Sequence, residues 1–232
     1  MVPRGAPCSM IEKTLLRIRF PFVSALLLLL AGCQGVSDRS SVHAPPVRLV
    51  PAVEHAIPDR GYDVEHYEIG IVLHPERRAI EGRCRVFFTP TRSALAALKL
   101  DLRGLDVRSV LDADGVPLPF THRGDTLEIA FPAPIRAGTP SEVTVSYGGP
   151  PVTGLWFSGH RADGSGPTQV FTQGEAEHNR GWFPCFDHPS DRATSEILVT
   201  MPENWVAVCA GVRVSEAVSD GLRTERWSMT IP

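Results

Sequence analysis

"YDVEHYEIGIVLHPERRAIEGRCRVFF", residues 62–88, decides the fold class. Tyr67, Ile69, Ile71 and Leu73 fall on every second position, Cys84, Val86 and Phe88 do the same, and "HPERR" at 74–78 lies between the two sets. A period of two puts such side chains on one face of an extended chain, and a polar, Pro-containing break between two such runs is a turn. The stretch therefore reads as two adjacent strands, each with one face toward a core.

Outward from this pair the pattern repeats: Leu98, Leu100 and Leu102; Leu127, Ile129 and Phe131; Val143, Val145 and Tyr147; Ile197, Val199 and Met201. Turn signals separate the sets, among them "DADG" at 112–115, "HRGD" at 122–125, "RAGTPS" at 136–141 and "GGPPVTG" at 148–154. No stretch of ten or more residues carries a helical stripe, so the class is all-β, a sandwich or strongly curved sheet with mostly antiparallel strands and helices of one turn at most. Gly148 to Pro167 is the longest irregular segment. The chain ends in "RTERWSMTIP", where Trp227, Met229 and Ile231 alternate as in a strand, so the domain is expected to continue past Pro232.

The 232 residues with 43% hydrophobic content are enough for a real core, and 23 basic against 26 acidic side chains leave no basic surface for nucleic acid. Arg4, Lys13, Arg17 and Arg19 precede an apolar run from Phe20 to Ala31 that is short for a bilayer span, so residues 1–32 read as an export signal. The run closes on Leu30-Ala31-Gly32-Cys33, which resembles the lipobox of bacterial lipoproteins; Cys33 would then be the lipidated first residue of the mature protein. Gln34 after Cys33 favours the outer membrane, periplasmic side, by resemblance to enterobacterial sorting. Residues 33–60, rich in Ser, Val and Pro, suit an extended tether, and residues 61–232 form the folded unit. Cys84, Cys185 and Cys209 belong to that unit; three is odd, so one disulfide at most and at least one free thiol are expected.

Chemistry concentrates in "VFTQGEAEHNRGWFPCFDHPSD", residues 170–191. His178, Cys185, Asp187 and His188 invite a metal, but the sequence holds no H-E-x-x-H and no C-x-x-C, so no metal ligands are assigned to this chain. There is no G-x-S-x-G, and Ser165 in "DGSGP" reads as a loop serine. Glu175 and Glu177, two apart, would share a face on an extended strand, and a carboxylate at a sheet edge beside the Gln173 amide suits capture of a protonated amine.

"TQGEAEHNRGWFPCFDHPSDRATSEILVTMPENWVAVCAG", residues 172–211, resembles the signature of the N-terminal β domain of zinc aminopeptidases of the aminopeptidase N family: Thr-Gln-x-Glu, then Arg, Pro and Asp-x-Pro, then a strand. Residues 62–88 resemble that family's opening strand pair, "LKLDLRGLDVRSV" at 98–110 its next strand and turn, and "GLWFS" at 154–158 its loop before the motif. The resemblance runs from about Gly61 to the end and implies saddle-like curved antiparallel sheets.

It also implies roles. Glu175 matches the glutamate that binds the free α-amino group of a peptide substrate, and Gln173 the glutamine lining the pocket for the first side chain; both bind and neither catalyses. Arg180, Asp187 and Pro189 match positions that support the loop, with Arg180 and Asp187 as a partly buried pair under Trp182 and Phe186. In the resembled enzymes H-E-x-x-H and a further Glu hold zinc, and a Gly-x-Met-Glu-Asn strand binds the peptide backbone; none of these occurs here, so zinc, the catalytic groups and hydrolysis are expected of a catalytic domain outside this chain. The expectation is thus the substrate-anchoring domain of a zinc metallo-aminopeptidase, present as a fragment, truncated frame or split gene and inactive by itself. The alternative is a non-catalytic, lipid-anchored β domain that binds peptides or a partner protein.

Overall fold

A computed structural model describes residues 58–159, 163 and 166–232, all within one unit, Val53–Pro232. The segment read as an export signal, Cys33, nearly all of the segment read as a tether, and Ser165 lie outside the described residues. Strands β1 (Tyr62–His74) and β2 (Ala79–Pro90) form the expected antiparallel pair, joined by a single 3-10 turn at Pro75–Arg77 with Arg78 in the left-handed region at φ 49°. The register shifts between Val64 and His66. This bulge lets Tyr62 and Val64 face inward on even numbers while Tyr67, Ile69 and Ile71 face inward on odd ones, because an inserted residue flips the pleat.

The remaining strands are β3 (Leu95–Asp101), β4 (Asp106–Leu111), β5 (Phe120–Arg123), β6 (Thr126–Ile135), β7 (Ser141–Gly149), β8 (Leu155–Ser158), β9 (Gln169–Thr172), β10 (Thr194–Pro202), β11 (Val212–Ser219) and β12 (Leu222–Met229). Seven build one sheet in the order β11-β12-β10-β1-β2-β7-β4; β3-β6-β5 form a second sheet and β8-β9 a short ribbon. The pairing is antiparallel except between β1 and β10, where Ile69 lies beside Ile197 and Ile71 beside Val199. The all-β class stands, and the segment from Gly148 to Pro167, irregular in the sequence reading, holds β8.

One apolar cluster joins the two larger sheets: Cys84, Val86 and Phe88 of β2, Val143, Val145 and Tyr147 of β7, Leu98 and Leu100 of β3, and Leu127 and Ile129 of β6 are all buried. Phe88 stacks on Phe131 across the layers at 6.0 Å. Each such side chain contributes about 1.5–3 kcal/mol by leaving water, and the cluster holds the strand ends that carry the site. Gly82 marks a close approach inside the core, since a Cβ there would stand 2.1 Å from Cζ of Tyr147. Among the described residues no helix is long and apolar enough to cross a membrane.

Candidate functional site

The site lies where β9 ends. Gln173 leaves the β8-β9 ribbon with its backbone N–H donating to the Gly154 carbonyl at 3.0 Å, and the chain then closes a turn in which the His178 N–H donates to the Gly174 carbonyl at 2.9 Å. A single 3-10 turn, Asn179–Gly181, follows. Glu175 and Glu177 thus sit on a turn rather than an extended strand, and Glu177, pulled back, pairs with Arg180 Nη2 at 2.6 Å. The same-face placement expected from spacing fails because closing the 174–178 turn replaces the pleat. Gln173 and Glu175 are both exposed.

Two glycines make this packing possible. Gly154 has φ +75° and a Cβ on it would meet the His178 carbonyl oxygen at 1.9 Å, while a Cβ on Gly181 would meet the Thr153 carbonyl oxygen at 2.1 Å. The loop before β8 therefore lies directly on the turn, and Thr153 Oγ1 and His178 Nδ1 are 3.1 Å apart.

Behind the turn the chain enters the core. Trp182, Phe183, Cys185 and Phe186 are buried, with Phe183 edge-on to Tyr67 at 5.5 Å and Phe186 against Tyr62 at 5.7 Å. Asp187 is 3% exposed and its Oδ2 accepts from Arg180 N–H at 3.1 Å and from Arg180 Nε at 2.9 Å. Pro189 is exposed and occupies the second position of a turn closed by the Asp191 N–H donating to the His188 carbonyl at 3.0 Å; its fixed φ suits that position. Sequence reasoning did not single out Asp101 or Arg60, and it read Tyr67 only as a core-facing strand residue. The Tyr67 hydroxyl accepts from the Phe186 N–H at 3.0 Å, and Asp101 accepts from the Asp187 N–H at 2.9 Å. The available signal for Asp101 was its place between Leu100 and Leu102 at the end of a buried strand.

A groove of about 580 Å³ opens beside the turn, with Glu175, Ala176, Trp182 and Asp187 on one wall and Ile69, Ser195 and Ile197 on the other. Asp191 also lines it, and burial pushes its carboxyl up to about 6, against hydrogen bonds from Val64 and Tyr67 that pull it down. Cys84, Cys185 and Cys209 are free thiols; burial pushes all three up, Cys209 to about 11 with the Glu225 charge adding to the effect.

His178, Cys185, Asp187 and His188 do not gather as ligands: Cys185 is in the core and Asp187 is taken by Arg180. Among the described residues one His-and-carboxylate group comes together, His66, Glu68 and Glu196, within 4.8 Å on the outer face of the large sheet. It does not fit a zinc centre, because Arg85 already holds Glu68 at 2.7 Å and Arg226 holds Glu196, so a cation would have to displace both guanidinium groups.

Fold and site together define a β domain that presents an amide and a carboxylate on a turn fixed by a rigid sheet. The chain belongs to the Peptidase M1 N-terminal domain family, which it matches over residues 63–232. It is 37% identical to human aminopeptidase B over 93 residues, covering 39% of this chain and 14% of that protein. It is 26% identical to Xenopus laevis leukotriene A-4 hydrolase over 182 residues, covering 74% of this chain and 30% of that protein. A crystal structure of a mutant M1 zinc metallopeptidase from Deinococcus radiodurans, bound to a Tyr-Ser-Ala substrate, superposes with a TM-score of 0.65 at 26% identity, covering 75% of this chain and 40% of that one. The chain spans less than a third of the length of these two curated relatives.

Proposed function

We propose that this chain is the substrate-anchoring N-terminal domain of a zinc metallo-aminopeptidase that removes residues one at a time from peptide N-termini. The observation that carries the reading is the exposure of Glu175 on a turn at the mouth of a groove, with Gln173 exposed two residues before it and Arg180 and Asp187 fixed behind the turn. A carboxylate so presented receives the α-ammonium through charge-assisted hydrogen bonds, which sets where the substrate begins and makes the cleavage exopeptidic. Gln173 offers an amide to the first side chain. The related Deinococcus radiodurans enzyme, bound to a Tyr-Ser-Ala substrate, supports a peptide N-terminus as ligand. Zinc and the groups that attack the carbonyl belong to a catalytic domain outside these residues, so no catalytic role is assigned to this chain. Cys33 carries the lipid that holds the protein in a bacterial envelope, on the periplasmic side of the outer membrane.

Reading the coding DNA past Pro232 in all frames tests the proposal: an H-E-x-x-H run supports it, and a clean stop with no neighbouring catalytic segment favours a non-catalytic peptide-binding or partner-binding domain. In the completed enzyme, Glu175→Ala should lower kcat/KM for aminoacyl anilides by about 10- to 100-fold, the worth of one hydrogen bond to a charged group, and leave N-acetylated substrates as poor as before. Labelled palmitate should be lost in Cys33→Ala; retained label rejects the lipid site.

A further inference from the structure

Asp101 stands outside the substrate-facing turn, yet the support of that turn converges on it. It ends β3, where strict alternation after Leu100 would send its side chain to solvent, and it is instead 6% exposed. Its carboxylate accepts from Arg60 Nη2 at 2.9 Å on Oδ1 and 2.8 Å on Oδ2, and from the Asp187 N–H at 2.9 Å on Oδ2. Its backbone N–H donates to the Cys185 carbonyl at 2.7 Å and its carbonyl accepts from the Cys185 N–H at 3.1 Å. Two residues on, the Arg103 N–H donates to the Arg180 carbonyl at 2.7 Å. On the far side Arg60 lies over the Phe186 ring at 4.4 Å and donates from Nη1 to the Lys99 carbonyl at 3.1 Å.

A path of polar contacts therefore runs from the point where the chain enters the domain to the turn. Arg60 holds Asp101; Asp101 holds the backbone of Asp187; the Asp187 carboxylate holds both the N–H and the guanidinium of Arg180; Arg180 holds Glu177, two residues from Glu175. An apolar residue at position 101 would fill the same space but leave the Asp187 N–H and the half-buried Arg60 charge without their acceptor, a cost of a different kind from lost packing. Such buried polar links select one loop conformation among several that pack equally well.

We propose that Asp101 is a positioning residue for the amine anchor: through Asp187 and Arg180 it fixes where Glu175 stands, and through Arg60 it ties that position to the entry of the tether. The proposal rests on the reading of Glu175 as the group that receives the substrate ammonium.

The test uses the completed enzyme and the ratio of kcat/KM for an aminoacyl anilide to that for its des-amino analogue, which reports how well the ammonium is held. In folded, purified Asp101→Asn the ratio falls at least fivefold, while kcat/KM for the des-amino analogue keeps its wild-type value. The Asp101→Asn/Glu175→Ala double variant shows no smaller ratio than Glu175→Ala alone, because the two substitutions disable one interaction. Arg60→Gln, which keeps Asp101 and its bond to Asp187, gives a smaller loss in the same ratio and serves where Asp101→Asn does not fold. A wild-type ratio in the folded variants, with only thermal stability reduced, overturns the proposal and assigns Asp101 a purely structural role. If Glu175→Ala itself leaves the ratio unchanged, the anchor reading has failed and this proposal falls with it; a ratio lost in Glu175→Ala but intact in both position variants overturns this proposal alone.

Discussion

Asp187→Ala removes the acceptor that holds Arg180 behind the turn. In the native chain Asp187 is 3% and Arg180 14% exposed, and one oxygen, Oδ2, takes both the backbone N–H and Nε of Arg180. Deleting one partner of a buried pair costs about 3–5 kcal/mol, most of it the penalty of leaving the other charge without a counterpart. Arg180 keeps two contacts in the variant, Glu177 Oε2 at 2.6 Å and the backbone carbonyl of residue 187 at 3.2 Å, so the loss belongs at the lower end, about 3 kcal/mol. Urea denaturation followed by tryptophan fluorescence should move the midpoint down by about 1–2 M with the slope unchanged. Asp187→Asn, which keeps an acceptor and loses the charge, should fall between. The exposed pair of Lys99 and Glu128 at 3.5 Å is the control, and Glu128→Ala should cost less than about 1 kcal/mol. A loss from Asp187→Ala no larger than that control would refute the reasoning, since it would mean that the pair is solvated like any surface pair.

Gly154→Ala combines a left-handed backbone with a Cβ driven onto the His178 carbonyl, so it should cost more than the roughly 1 kcal/mol of the backbone alone and disturb the 174–178 turn, seen as faster amide exchange at His178. Asp191 is raised from its ordinary 3.8 to about 6, so the native chain binds more protons than the unfolded chain between those values, and stability rises as pH falls through that window. Asp191→Asn should therefore gain stability at pH 7, by about 1 kcal/mol after allowing for the solvent that reaches the half-buried group, and the gain should vanish by pH 4. Cys84 and Cys185, buried with raised thiols, should resist iodoacetamide in the native chain at pH 7 while Cys209 reacts slowly; peptide mapping that finds any two of them joined by a disulfide would contradict the free-thiol assignment.

Strands with one face in the core were legible because alternation is the imprint of that burial: β1, β2, β3, β6, β7 and β10 follow directly from Tyr67, Cys84, Leu98, Leu127, Val143 and Ile197. Strand β11 was not: Val212, Val214 and Val218 fall on alternate positions, but the set is broken by Glu216 and all eight residues of the strand are exposed, so no core burial marks it. The shift between Val64 and His66 escaped for a related reason: a bulge breaks parity locally, and only the partner strand reveals it. At the site, residue types and family resemblance picked out Gln173, Glu175, Arg180, Asp187 and Pro189, but not the geometry, because a turn closed by a backbone bond from His178 to Gly174 leaves no periodic trace. Asp101 and Arg60 lie 86 and 127 residues from Asp187, at the near end of β3 and before β1; contacts at such separations exist only once the sheets have assembled.

The most direct test is a crystal structure of the completed enzyme with a free amino acid bound. The reading of Glu175 as the amine anchor requires the ligand ammonium about 2.7–2.9 Å from a Glu175 carboxylate oxygen, with Gln173 beside the ligand side chain and the Arg180–Asp187 pair unchanged behind them. An ammonium held by other groups, with Glu175 turned to solvent, would contradict it.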